Sequence, residues 1–170
     1  MDVEHAIRTR RTLKVFGTET VPVDVLRDLV ELATWAPNHH LTNPWRFRIL
    51  GLRSRARLEE AAGPEQAVKL RRAPSLICVT CIRTPDDPGV EREDLLATGS
   101  AIYALLLGAH ARGLAAYWRT PGLFAHPGPR AALGLPDDEQ FVGLVYIGPF
   151  RQDAEAPARA PLDTVLTVLD

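Results

Sequence analysis

Leu95-Leu-Ala-Thr-Gly-Ser-Ala-Ile-Tyr-Ala-Leu-Leu-Leu-Gly-Ala-His-Ala111 carries apolar side chains on nearly every face when wound as a helix. A helix that is apolar all round must be buried all round. The pattern predicts a helix from about Glu91 to Ala111, opening on acidic residues that complement its dipole and closing at Gly113. A chain of 170 residues builds one core of thin layers. Such a core does not surround a helix of about five turns, so a second copy of the chain is expected to cover the remaining face. Ala97, Ala101, Ala104 and Gly108 are small enough to let two helices approach closely. Thr98, Gly99, Ser100 and His110 interrupt the run, which reads as too short and too polar to span a bilayer.

Outward from this helix the chain alternates strands and helices. Toward the C-terminus a strand is expected at Leu114 to Trp118, a helical turn at Pro129 to Leu133 and a strand at Gln140 to Ile147. From Pro149 onward a proline-rich stretch reads as an extended tail over 149–170, expected to pack on a partner subunit. Toward the N-terminus, a loop at Thr84 to Gly89 follows a strand at Ser75 to Ile82. Before that come a helix at Ser54 to Ala62, broken by Gly63-Pro64, and a polar connection to the strand. A strand near Arg46 to Leu52, a helix from Val23 to Trp35 and a first helix from Asp2 to Thr9 complete the set. About four strands with helices between them give an α+β or mixed α/β layer fold in one domain, 1–170.

The two cysteines form Cys78-Val-Thr-Cys81 within a strongly β-like run. Residues three apart on a strand point to opposite faces, so the two sulfurs can neither pair nor share a metal. Both read as small core residues. With 46% hydrophobic and 24% charged residues the composition is ordinary for a globular protein. The net charge of -1 removes a general electrostatic reason to bind nucleic acid or an anionic membrane. Asp2 and Glu4 precede any apolar run, so no secretory signal is expected and the cytoplasm is the expected compartment.

Three stretches can carry chemistry. Arg8-Thr-Arg-Arg-Thr-Leu-Lys14 puts four cations and two hydroxyls just after a helix, suited to the oxygens of a phosphomonoester or to a plain solvated turn. Ala36-Pro-Asn-His-His-Leu-Thr-Asn-Pro-Trp-Arg-Phe47 is a polar loop between a helix and a strand, a place where ligands are often held. Its paired histidines lack a Cys or carboxylate at ligand spacing, so no metal is expected. Gly113-Leu-Ala-Ala-Tyr-Trp-Arg-Thr120 places Trp118, Arg119 and Thr120 at a strand exit. Trp118 there is either a ligand contact or an aromatic core anchor.

In order and spacing these stretches resemble the nitroreductase family, and its short members most. The resemblance runs from Arg-Arg-Thr-x-Lys-x-Phe16 through Asn-Pro-Trp-Arg-Phe47, Arg-Ala-Pro-Ser-Leu-Ile77 and Arg-Gly-Leu-Ala-Ala-Tyr-Trp-Arg-Thr120 to Ala-Leu-Gly-Leu-Pro136 and Val-Gly-Leu-Val-Tyr-Ile-Gly148. It implies an α+β nitroreductase-like fold, a mainly antiparallel central sheet flanked by helices, and an obligate homodimer with two FMN sites at its interface. It implies that Arg10, Arg11 and Thr12 hold the phosphate and ribityl chain, with Lys14 near the flavin ring. Trp35 and His39 would flank the cofactor. Trp118, Arg119 and Thr120 would form the third contact, with Arg119, and Arg159 from the tail, reaching the phosphate.

The resemblance further implies that NADH or NADPH gives a hydride to flavin N5 and that a second substrate takes the electrons, a nitroaromatic, a quinone or a similar small electrophile. No side-chain nucleophile is then needed, because the chemistry belongs to the cofactor. Asn43 stands where the family usually has Gln, Leu41 replaces a polar residue, and the stretch from Ala62 to Ala73 is shorter than in most relatives. A flavin-binding dimer without turnover, or a related flavoenzyme with another substrate, are the competing expectations.

Overall fold

In the computed structural model, residues 1–152, 154–155 and 157–169 are described. Its centre is a four-stranded sheet in the order β1-β2-β4-β3, every neighbouring pair antiparallel. The strands are β1 (Trp45–Ile49), β2 (Ser75–Ile82), β3 (Leu114–Arg119) and β4 (Glu139–Pro149). Strands β2 and β4 occupy the middle and read as nearly continuous apolar runs because both of their faces are covered.

Two layers of helix do the covering. On one face lie α2 (Val23–Ala33) and α4 (Pro88–Ala111), whose Leu26, Leu29, Ile102, Leu105 and Leu106 pack on Ile77, Val79, Val145 and Ile147 of the sheet. On the other lie α3 (Leu52–Leu70) and α5 (Pro127–Ala132), and there Leu58 and Leu70 join Leu76, Cys78, Leu144 and Tyr146. The alternation of a strand thus divides the core in two. Cys78 falls in the second cluster and Cys81 in the first, both free and buried, on opposite faces as their spacing requires. Burial pushes the Cys78 thiol up to about 12 and raises that of Cys81 as well.

The first helix, α1 (Val3–Thr9), is capped by Asp2, whose carboxylate accepts from the His5 N–H at 2.8 Å. Helix α4 begins three residues before Glu91, because Asp87 caps it through the N–H groups of Gly89 and Val90 and Pro88 fits its first turn. That extension makes the helix 24 residues long, enough by length and composition to cross a bilayer, contrary to expectation. Half of its most apolar stretch is nonetheless buried inside the chain's own fold. Gly113, at φ 71, ends it.

Helix α3 departs most from the sequence reading. The Gly63-Pro64 break bends the element rather than ending it: Gly63 takes φ 77, Pro64 opens a second helical stretch over 64–70, and the expected polar connection is helical. A clamp holds the bend. Glu59 accepts from Arg55 at 3.0 Å and from Arg71 at 2.7 Å, while Arg55 also donates to the carbonyls of Pro74 and Leu70, both at 2.8 Å.

Burial pushes the Glu59 carboxyl up, but the hydrogen bonds from Arg71 and Arg55 outweigh it and hold the group below its ordinary value near 4.5. A carboxylate lowered on folding contributes stability above its unfolded value and loses it as pH falls through the folded value. Unfolding in urea should therefore show the wild-type midpoint falling more steeply below about pH 4.5 than that of Glu59→Gln. Parallel acid profiles would refute the clamp.

Candidate functional site

The segment after α1 forms a strap across one end of the molecule. It runs from Arg10 to Phe16, where an isolated bridge joins it to Phe150 beyond β4. Its start is tied to the last turn of α4. The Thr9 hydroxyl donates to the His5 carbonyl at 2.6 Å, and His110 Nε2 lies 2.8 Å from the same hydroxyl, so that ring nitrogen is the donor. Burial, then Arg10, His5 and Arg11, push His110 below its ordinary value, which leaves it neutral at pH 7.

Along the strap the cations take separate directions. The Arg10 guanidinium lies over the Tyr103 ring at 5.8 Å from its centroid. Arg11 curls back, its Nη1 donating to the carbonyls of Arg8 and Arg10, both at 2.7 Å. Thr12 and Lys14 line a cleft of about 320 Å³ between the strap and Gln152 of the tail. The Lys14 ammonium stands over the Tyr117 ring at 5.5 Å. The ion pairs among the described residues use Arg8, Arg48, Arg55, Lys69, Arg71 and Arg83 as full cations. Arg10, Arg11, Lys14 and Arg119 are in none of them.

Strand β3 splits the Trp-Arg-Thr element between the two faces of the sheet. Trp118 packs with the α2 and α4 layer, its indole N–H donating to the Val142 carbonyl at 3.2 Å. A β-bulge in β4 explains the acceptor: Val79 pairs with Gly143 and Thr80 with Phe141, so Val142 is left over in the ladder. Arg119 points the other way, beside the Tyr146 hydroxyl. Thr120 is exposed at the strand exit.

A groove of about 730 Å³ runs along the uncovered face of α4, between Trp35 and Pro37 on one side and Leu96, Ser100, Tyr103 and Trp118 on the other. Trp35 is 82% exposed and Leu96 63%, large apolar surfaces to leave in water. The polar loop closes one end of this region. His39 lies 3.6 Å from Glu93 of α4 and lines a second, smaller recess with Leu96 and Ser100. Past it the backbone is strained: His40, Leu41 and Asn43 all take positive φ, at 48°, 54° and 46°, the only non-glycine residues among those described to do so. Several hydrogen bonds hold that geometry, the Asn43 side-chain amide donating to the Leu41 carbonyl at 2.8 Å among them. Thr42 donates to buried Asp94 at 2.6 Å, and the Asn43 N–H donates to Asn38 Oδ1 at 2.9 Å. Asp94 went unnoticed in the sequence, where it reads as one of the acidic residues that open the helix.

The residues singled out from the sequence therefore gather in two places. Arg10, Trp35, His39 and Trp118 stand around the open face of α4. Thr12, Lys14 and Arg119 stand across the sheet from Trp118, on the face that carries Tyr117 and Tyr146. Arg159 is exposed in the tail. Buried side-chain nitrogens and oxygens without a hydrogen-bond partner occur at only three described positions: Arg10 Nε, Arg11 Nε and Tyr146 Oη. Nearly all such atoms in native proteins are satisfied, so each of these asks for a missing acceptor or donor.

Comparison with known proteins identifies the family and the fold. The profile of the Nitroreductase family matches residues 7–71 and 63–149. The chain is 27% identical over 172 residues to the "Putative NAD(P)H nitroreductase YfhC" of Bacillus subtilis, covering 92% of this chain and 88% of that one. A nitroreductase-like family protein from Bacillus cereus superposes with a TM-score of 0.90 at 27% identity, over 99% of this chain and 96% of the other. A "putative nitroreductase in complex with fmn" from Desulfovibrio desulfuricans gives 0.80 at 28% identity, over 96% and 94%.

Proposed function

Because the chain belongs to the Nitroreductase family, we propose that it is an FMN-dependent oxidoreductase that draws electrons from NADH or NADPH and delivers them to small electrophilic acceptors such as nitroaromatics or quinones. The relatives' own descriptions, as NAD(P)H nitroreductases and as an FMN complex, support the cofactor and the donor. The observation that carries the reading is the pair of orphaned guanidinium nitrogens on Arg10 and Arg11, buried and facing no carboxylate. A phosphomonoester supplies the acceptors and the negative charge that such a turn lacks.

FMN, when bound, supplies the electron transfer, and the protein positions it and tunes its electronics. In this reading Arg10 and Arg11, with Thr12 after them on the strap, hold the phosphate end, while Lys14 and Arg119 bring positive charge on the sheet face that Thr12 shares. Trp35, His39 and Trp118 stand around the α4 groove, and in a homodimer they face the partner's cofactor. The second copy covers the apolar groove. Leu162, Val165, Leu166, Val168 and Leu169 of the tail, all exposed, pack on that copy. The whole chain, 1–170, then acts as one domain, and a nicotinamide donor places its work in the cytoplasm.

The test is the absorption spectrum of the purified protein with FMN, before and after NADPH. Flavin bands that stay oxidised would end the reductase reading. Arg10→Ala should weaken FMN by about 2 kcal/mol, roughly 30-fold, because a charge-assisted hydrogen bond is lost. Unchanged affinity in that variant, measured by fluorescence titration, would reject the phosphate assignment.

A further inference from the structure

The third orphaned atom, the hydroxyl of Tyr146, stands with Lys14 and Arg119, to which the resemblance gives cofactor roles, but is itself given none. Tyr146 sits at the centre of β4 and is 1% exposed. It pairs directly across the ladder with Tyr117 of β3, the two rings 5.7 Å apart. Lys14 stands over the second ring, and Arg119 follows it two residues along the same strand face. Arg72 is also close enough to act on the phenol. Arg119 reaches the phenol oxygen, so what lacks a partner is the O–H as donor, and a buried donor among three cations faces a field that favours negative charge.

We infer that Tyr146, with Arg119 and Lys14, forms a second polar anchor of the bound cofactor, the phenol donating a hydrogen bond to an anionic oxygen. Burial raises the phenol above its ordinary value, more than Arg119 beside it lowers it, so the group is protonated and can donate at neutral pH. Arg119 and Arg72 are long and flexible, so the hydroxyl can be uncovered without moving backbone. The inference rests on the FMN reading above and adds a residue to it. The oxygen belongs either to the phosphate or to the polar edge of the flavin ring.

Tyr146→Phe tests it, because a structural hydroxyl and a cofactor-binding hydroxyl move two measurements in different ways. Removing an unsatisfied buried hydroxyl leaves the thermal midpoint of the FMN-free protein unchanged or higher. The same change should weaken FMN about five- to tenfold, the worth of one hydrogen bond. Riboflavin, which has no phosphate, separates the two sources. An equal loss for riboflavin assigns the ring edge, and a loss for FMN alone assigns the phosphate. A lower midpoint without FMN, together with wild-type FMN affinity, would make the hydroxyl a structural partner and overturn the inference alone. Wild-type protein that takes up no FMN would overturn the functional reading with it.

Discussion

Gly143→Ala should lower the unfolding free energy by about 3 kcal/mol, at the upper end of what overpacking costs. A methyl group built on this glycine falls 2.0 Å from Nε1 and 2.5 Å from Cδ1 of Trp118. The indole cannot simply step aside. Its N–H satisfies the carbonyl that the bulge at Val142 leaves unpaired, and its ring packs against the larger helical layer of the core. The backbone of a central strand yields no more easily, since β4 is bonded to β2 on one side and β3 on the other. Displacing the indole would also refill or distort the groove that Trp118 lines beside α4. A urea titration measures the loss, and Trp118→Phe in the same chain should recover part of it, because the clash lies with the larger ring. A single variant as stable as wild type would show that the indole does not hold the place described.

The second large effect is expected at Arg48. Its guanidinium makes two bonds to Glu139, at 2.7 and 2.9 Å, and a third to the Thr80 hydroxyl at 2.9 Å. The Thr80 hydroxyl also donates to Glu139. With the Glu139 side chain 8% exposed, water cannot replace these partners. Burial alone would raise its carboxyl, but Arg48 and Thr80 outweigh burial and hold it below the ordinary range. Arg48→Met leaves that charge buried and unpaired, at a cost of about 3 kcal/mol at neutral pH. In the variant the carboxyl rises, so its penalty should shrink on acidification, opposite in sign to the wild-type trend. Adding Glu139→Gln removes the stranded charge and should return much of the stability. If Arg48→Met alone shows a wild-type urea midpoint at pH 7, the pair contributes nothing and the argument fails.

The large-scale fold was legible wherever a single physical demand dominated. Leu95 to Ala111 could only be a helix, half of its apolar stretch buried here, and the β-branched run around Cys78 and Cys81 could only be a strand with its thiols on opposite faces. Boundaries failed where a local signal had two meanings. Gly63-Pro64 ends a helix in one context and bends it in another, and what decides is the Glu59 clamp, built from Arg55 and Arg71 across the bend. The extra turn of α4 was missed because the aspartate cap and Pro88 sit inside a stretch that reads as loop.

The site was legible in its residue types and not in its geometry. Strand alternation separates Trp118 from Arg119, so two adjacent residues serve opposite faces of the sheet. The turn of Arg10 toward Tyr103 and the backward curl of Arg11 depend on how the strap crosses α4, which no local pattern encodes. Tyr146 carried a faint signal, a phenol in the otherwise apolar Leu144 to Ile147 run. A polar tip inside such a run asks for a partner, but the sequence does not say which.

The placement of the two thiols has a practical corollary. Each sulfur is sealed within a different half of the interior, and burial keeps both in the unreactive protonated form. Alkylating reagents therefore reach Cys81 only when the layer of α2 and α4 lifts from the sheet, and Cys78 only when the opposite layer does. Timed labelling followed by mass spectrometry turns the pair into two independent clocks, one for each side of the sheet.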